Sequence, residues 1–163
     1  MSLSQTTVNL SEVRPATTGD VPDIHRLLQF HARKGNLLPR PLNELYRNMR
    51  DFFVIEIDGK LRVCAALEIF TSELAEVRSL AVEEDYAGTG LGRKIVTQIM
   101  REAQDLGLIR LMALTYVPEF FHKIGFKTVA KETLPEKVWG VCVKCYKFHD
   151  CDETAVLRQL NNN

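Results

Sequence analysis

No apolar run in this chain of 163 residues approaches the roughly 20 residues of a membrane span, and the opening stretch, Met1 to Asn9, is polar and rich in Ser and Thr, without an apolar stretch of signal-peptide length. These absences predict a cytoplasmic protein with no membrane partner. Net charge is missing as well. Lys and Arg number 21, Asp and Glu 21, and the isoelectric point lies near 6.9. No global attraction to nucleic acid is therefore expected, and any basic site must be local. Cysteine is sparse, with four residues, and in a reducing compartment a disulfide is not the first explanation for them. Repeats, low-complexity tracts and linkers are absent too. What is present, 45% hydrophobic and 26% charged residues, suits one globular domain over residues 12–160 behind a polar tail of residues 1–11.

Short strand and helix patterns alternate along the chain, predicting a mixed α/β domain. Glu12 to Thr17 reads as a strand. Asp20 is placed to cap a helix whose Val21, Ile24, Leu27, Leu28 and His31 share one side. Pro39 and Pro41 precede a short helix around Leu42 to Met49. Phe52 to Ile57 and Leu61 to Ile69 read as a hairpin turned by Asp58-Gly59. A strand over Ala75 to Val82 leads to a helix with Leu91, Ile95, Ile99, Ala103 and Leu106 on its core face, ended by Gly107. Ile109 to Thr115 is a strand. Pro118 starts a short helix carrying Phe120, Phe121 and Ile124, which Gly125 stops before Phe126 opens a further strand.

Between Val82 and the long helix stands Asp85-Tyr86-Ala87-Gly88-Thr89-Gly90-Leu91-Gly92-Arg93. Glycines at 88, 90 and 92 clear side chains from the backbone, and a helix starting near Gly90 offers N–H groups and the positive end of its dipole to an anion. Arg93 adds a charge-assisted donor one turn in. The spacing matches neither the dinucleotide G-x-G-x-x-G nor a P-loop, which needs Gly-Lys followed by Ser or Thr, where this chain has Gly-Arg-Lys. On glycine spacing alone, an ordinary left-handed turn before a helix explains these residues equally well.

The segment resembles the pyrophosphate motif of the GNAT superfamily of acetyl-CoA-dependent N-acetyltransferases, with the frame on Ala87, Gly90 and Gly92. Ala87 departs from the Gln or Arg usual there. The order of elements over Glu12 to Val143 also resembles the GNAT order. A narrower resemblance, to the acetyltransferase domain of N-acetylglutamate synthases, is carried by Gly35-Asn36-Leu37-Leu38-Pro39-Arg40, Ala75 to Val82, Leu111 to Thr115, Glu119 to Phe126 and Leu134-Pro135-Glu136-Lys137. The long members of that family carry an amino-acid-kinase domain that binds arginine. The chain is expected to be the short form, to which arginine regulation does not transfer.

The resemblance implies a GNAT fold and acetyl-CoA as cosubstrate, held by Leu80, Ala81, Val82, Ala87, Gly88, Thr89, Gly90, Leu91, Gly92 and Arg93, with Phe121 against the pantetheine arm or simply in the core. It also implies acetyl transfer to the α-amino group of L-glutamate, the entry to arginine biosynthesis. Glutamine, another small amine, a protein N-terminus, or silent acetyl-CoA sensing remain open. An ammonium acceptor must lose a proton before it attacks a thioester. Glu76, which in a regular strand shares a face with Arg78 and Leu80, matches the family's proposed base; an exposed carboxylate paired with Arg78 is the alternative. The resemblance places an oxyanion-binding amide near Leu80 on a bulged strand. It assigns the leaving-thiolate acid to Thr115, with Tyr116 as neighbour, since the family's usual Tyr is replaced by Phe120 and Phe121. Arg40 matches the substrate arginine, against the alternative of a solvated loop residue, and Arg78 is a second candidate for a carboxylate. Cys142, Cys145, His149 and Cys151 form an incomplete zinc-like set, and Cys64 reads as a small core residue. The chain is compatible with a homodimer without deciding it.

Overall fold

The computed structural model describes residues 12–134 and 152–160. The chain divides into two compact units, Met1–Ala66 with Ser79–Ile99, and Leu67–Arg78 with Met100–Asn163.

The first unit opens with β1 (Val13–Pro15), which pairs antiparallel with β2 (Phe52–Ile57), which in turn pairs antiparallel with β3 (Lys60–Ile69). Asp58 (φ 56°) and Gly59 (φ 77°) make the turn between β2 and β3. Two successive positive φ values are what a two-residue hairpin of right-twisted strands demands, and Asp-Gly supplies them at low cost. Helix α1 (Val21–Arg33) lays Val21, Ile24, Leu27 and Leu28 into a core with Leu45 of α2 (Leu42–Arg47), Phe52, Val54, Leu61, Cys64 and Ala81. Asp20 precedes α1 but does not cap it with its side chain. Its carboxylate instead accepts the Thr17 N–H at 2.7 Å, closing a 3₁₀ turn over Thr18–Asp20, and receives two bonds from Arg14 at 2.8 and 3.0 Å. This is a correction to the expected cap: a nearby arginine claims the carboxylate.

In the second unit the end of β3 neighbours the start of β4 (Leu74–Val82), and the order continues through β5 (Arg110–Thr115), β7 (Thr154–Gln159) and β6 (Lys127–Val129). The β4–β5 pairing is parallel and covers Leu74↔Arg110, Ala75↔Leu111 and Glu76↔Met112, whereas β5 pairs antiparallel with β7 along its full length. Leu74, Met112, Leu134 and Ala155 form its core. Helix α3 (Leu91–Asp105), whose residues up to Ile99 count with the first unit, buries Leu91, Ile95, Ile99 and Ala103 as the 3.6-residue period requires. Leu106 is 55% exposed, correcting its placement on that face: the helix ends at Asp105 and the chain reverses at Gly107 (φ 90°). Helix α4 (Pro118–His122) ends before Gly125 (φ 97°), and β6 begins at Lys127, one residue beyond Phe126. Among the described residues no helix is long and apolar enough to cross a membrane.

Candidate active site

Strand β4 enters the first unit at Ser79, whose φ of 57° is left-handed. A non-glycine residue there costs about 1–3 kcal/mol and persists only when its surroundings hold it. Three side chains account for the holding. Arg40 Nη1 donates to Ser79 Oγ at 3.0 Å, the Cys64 S–H donates to the Ser79 carbonyl at 3.5 Å, and Arg40 Nε donates to Glu44 Oε2 at 2.6 Å. Arg40 is 6% exposed and its guanidinium lies 5.4 Å over the Phe52 ring. The solvated loop arginine is thereby corrected: Pro39 and Pro41 flank a residue whose stem and charge are enclosed. Burial pushes the Cys64 thiol up to about 12, against the smaller opposing influence of the Arg40 charge, so Cys64 is a neutral core donor. Sequence reasoning named neither Glu44 nor Ser79 for this site. The i,i+4 spacing of Arg40 and Glu44 was a readable signal, while the bend at Ser79 left none.

The same bend corrects the face expected for Glu76, Arg78 and Leu80. Strict alternation holds only along regular extended backbone, and Ser79 interrupts it, so Leu80 does not follow from the alternation that relates Glu76 to Arg78. The left-handed Ser79 stands immediately before Leu80, where the resemblance implies a bulge.

From Val82 the chain runs through a 3₁₀ turn, Glu84–Tyr86, into the glycine segment. His31 Nε2 lies 2.8 Å from the Val82 carbonyl; since a carbonyl only accepts, Nε2 carries a proton, while Nδ1 stands 3.2 Å from Asn36 Nδ2. Ala87 spends its N–H on the Glu84 carbonyl at 3.2 Å. Gly88 (φ 76°) and Gly90 (φ 89°) take the left-handed conformation, and a Cβ on either would project into open space. Thr89 Oγ1 donates to the Tyr86 carbonyl at 2.5 Å. The first bond of α3 joins the Lys94 N–H to the Gly90 carbonyl at 3.0 Å, so Leu91, Gly92 and Arg93 contribute the N–H groups that a helix cannot bond to itself. Residues 87–90 and Arg93 are exposed, whereas Leu91 and Gly92 are buried. N–H groups left unbonded at a helix start suit a pyrophosphate.

In the second unit Glu76 is 2% exposed, which corrects the exposed strand carboxylate. It stands opposite Met112, at the last of the three β4–β5 pairs. Arg78 Nη1 donates to Glu68 Oε1 at 2.7 Å. Thr115 is buried at the end of β5, where its Oγ1 accepts the Val117 N–H at 2.8 Å and keeps its own proton to donate. Tyr116 Oη donates to Asp152 Oδ1 at 2.8 Å. Phe121 is 4% exposed, with the Phe120 and Phe126 rings edge-on at 5.1 Å each, a core packing arrangement. Cys142, Cys145, His149 and Cys151 lie outside the described residues, as do Pro135 to Lys137. Among the described residues no cluster of three or more His, Cys, Asp or Glu could hold a metal.

Residues 48–128 match the acetyltransferase (GNAT) domain. An uncharacterised N-acetyltransferase of Chlorobaculum tepidum is 35% identical over 148 residues, 91% of this chain and 96% of that protein. The amino-acid acetyltransferase of Mycobacterium tuberculosis is 36% identical over 137 residues, 82% of this chain and 78% of that one. Among solved structures, the N-acetylglutamate synthase of Neisseria gonorrhoeae complexed with coenzyme A and N-acetyl-glutamate superposes with a TM-score of 0.83 at 30% identity. That likeness covers 92% of this chain but only 35% of the other.

Proposed function

Because this chain belongs to the GNAT N-acetyltransferases and is an acyltransferase using acetyl-CoA as cosubstrate, we propose that it transfers the acetyl group to the α-amino group of L-glutamate, the first step of arginine biosynthesis. The observation that carries the acceptor class is Arg40, a buried guanidinium fixed by Glu44 and Ser79 on the strand leading to the cradle. A carboxylate-bearing acceptor would share this guanidinium with Glu44, adding charge-assisted bonds to a fork already held in place. The support for glutamate in particular is the likeness to the Neisseria gonorrhoeae enzyme complexed with N-acetyl-glutamate.

Each residue then has a task. The amides of Leu91, Gly92 and Arg93, with the left-handed Gly88 and Gly90 keeping side chains clear and Ala87 and Thr89 completing the loop, receive the pyrophosphate. Backbone groups of Leu80, Ala81 and Val82 line the pantetheine. Glu76 takes the ammonium proton, so that nitrogen attacks the thioester carbonyl as a neutral amine. The Leu80 N–H, which follows the left-handed Ser79, stabilises the oxyanion. Collapse of that intermediate breaks the C–S bond, and the proton shed by the attacking nitrogen balances the one the thiolate gains through the Thr115 hydroxyl, which relays it and is left protonated; Tyr116, whose proton is directed at Asp152, is the alternative relay. Arg78, already bonded to Glu68, would have to share its guanidinium with a second carboxylate.

Thiol release from acetyl-CoA, measured over a panel of L-glutamate, L-glutamine, other amino acids and amines without a carboxylate, tests the reading. A kcat/KM for glutamate at least about tenfold above that for carboxylate-free amines is expected from one charge-assisted carboxylate contact. Equal rates across the panel would remove glutamate while leaving the acetyltransferase in place.

A further inference from the structure

Three carboxylates, Glu83-Glu84-Asp85, stand in a row just upstream of the segment that would receive a pyrophosphate. Carboxylates on the segment that leads into an anion site oppose an anionic cosubstrate unless they are answered. Two of them are, by cations from other elements of the first unit. Arg62 Nη1, on β3, bonds Glu83 Oε2, and Lys34 Nζ, just past α1, lies 2.6 Å from Glu84 Oε2. Arg62 does more than neutralise. Its carbonyl accepts the Glu83 N–H at 2.7 Å, and its guanidinium sits 5.1 Å over the Tyr86 ring, so one residue grips both ends of the Glu84–Tyr86 turn. The Tyr86 carbonyl in turn holds the Thr89 hydroxyl, which passes the constraint into the glycine segment. The Arg62 and Glu83 side chains are 17% and 28% exposed, so water screens this pair less than Lys34 and Glu84, at 46% and 64%. Arg62 Nε is buried without a hydrogen-bond partner among the described residues, a cost that a residue kept only for its hydrogen bonds would avoid.

We propose that Arg62 is a positioning and charge-compensating residue for acetyl-CoA: it holds the turn that delivers the chain to the Gly88–Arg93 cradle and cancels the Glu83 carboxylate that would otherwise repel the pyrophosphate. Lys34 plays the same part toward Glu84, more weakly. The inference rests on the pyrophosphate lying at that cradle.

Calorimetric titration of acetyl-CoA into the parent, Arg62→Met and the double variant Arg62→Met/Glu83→Gln, at low and at physiological ionic strength, tests it. Arg62→Met is expected to weaken binding about tenfold, more at low salt, and to leave the KM for the acceptor unchanged. Removing the orphaned carboxylate in the double variant should bring the affinity back to within about threefold of the parent. Parental affinity in Arg62→Met overturns the proposal. So does a double variant as weak as the single one with no salt dependence, because a packing role alone predicts that result. Should Arg62→Met fail to melt cooperatively, Lys34→Met and Lys34→Met/Glu84→Gln carry the same cycle on an exposed pair. About threefold loss and recovery is then expected, and no loss overturns the proposal. A Gly92→Val protein that binds acetyl-CoA normally would instead refute the cradle, a failure separate from that of Arg62.

Discussion

Arg40→Ala should damage two properties at once, and the structure sets how much of each. The guanidinium is 6% exposed, bonds Glu44 at 2.6 Å and Ser79 at 3.0 Å, and lies over Phe52. Breaking a fully buried ion pair from one side costs about 3–5 kcal/mol. The Glu44 side chain, however, is 31% exposed and can recover water once abandoned, which reduces the expected loss of stability to about 1–3 kcal/mol. If Arg40 also holds an acceptor carboxylate, a further ~1.5–3 kcal/mol leaves the binding of glutamate, or roughly a 10- to 150-fold rise in its KM with that for acetyl-CoA unchanged. Ser79 loses a brace on its left-handed backbone, so kcat should also drop, by less than the change in KM. Arg40→Lys should recover only part of both, since one ammonium cannot reproduce the two directed bonds of the fork. Thermal melts and thiol release with glutamate varied at saturating acetyl-CoA read the two effects separately. A variant that melts lower yet acetylates glutamate with the parental KM would reduce Arg40 to a brace for Ser79 and refute its substrate role.

Three further outcomes are expected. Glu76→Gln should lower kcat by roughly 10²–10⁴-fold at neutral pH and alter the pH profile, while calorimetry finds acetyl-CoA affinity largely intact; near-normal turnover with the parental profile would return Glu76 to a structural role. Gly92→Val probes the cradle without the left-handed strain that Gly90, with a φ of 89°, would impose on any β-branched residue, and because Gly92 is buried its thermal melt is compared with the parent's first. It should weaken acetyl-CoA binding more than about tenfold while the protein still unfolds cooperatively, and parental affinity would sink the assignment. The bond from Arg14, followed by that from the Thr17 N–H, holds the Asp20 carboxyl below its ordinary value against the opposing effect of burial. A depressed carboxylate contributes stability above the unfolded value near 3.9 that is lost as pH falls through the folded one. Asp20→Asn should therefore cost about 1 kcal/mol in urea unfolding at pH 7, and the difference should shrink as pH falls below the unfolded value near 3.9; a pH-independent difference would contradict the linkage.

The contrast between what could and could not be read in advance follows from the range of the interactions. The Asp58-Gly59 hairpin, the four apolar residues of α1, the buried stripe Leu91, Ile95, Ile99 and Ala103, and the stop at Gly107 depend on contacts within a few residues or on a residue's own φ preference, so the local pattern carries them. The same pattern misplaced Leu106, because periodicity says where a face runs and not where the helix ends. It misread Asp20 too, because a cap and an ion pair compete for one carboxylate and the winner, Arg14, is supplied by a strand.

Glycine spacing and the apolar strand before it determined by themselves that residues 88–93 would be an anion-binding turn or its plain look-alike, and the wider order of elements pointed to the acetyltransferase family. The burial of Glu76, the enclosure of Arg40 with Glu44 and Ser79, and the answering of Glu83 and Glu84 by Arg62 and Lys34 were decided only by the tertiary structure. Except for Arg40 and Glu44, the partners in these contacts lie on segments far apart in the chain, and a charge's environment belongs to the space around it rather than to its neighbours in sequence.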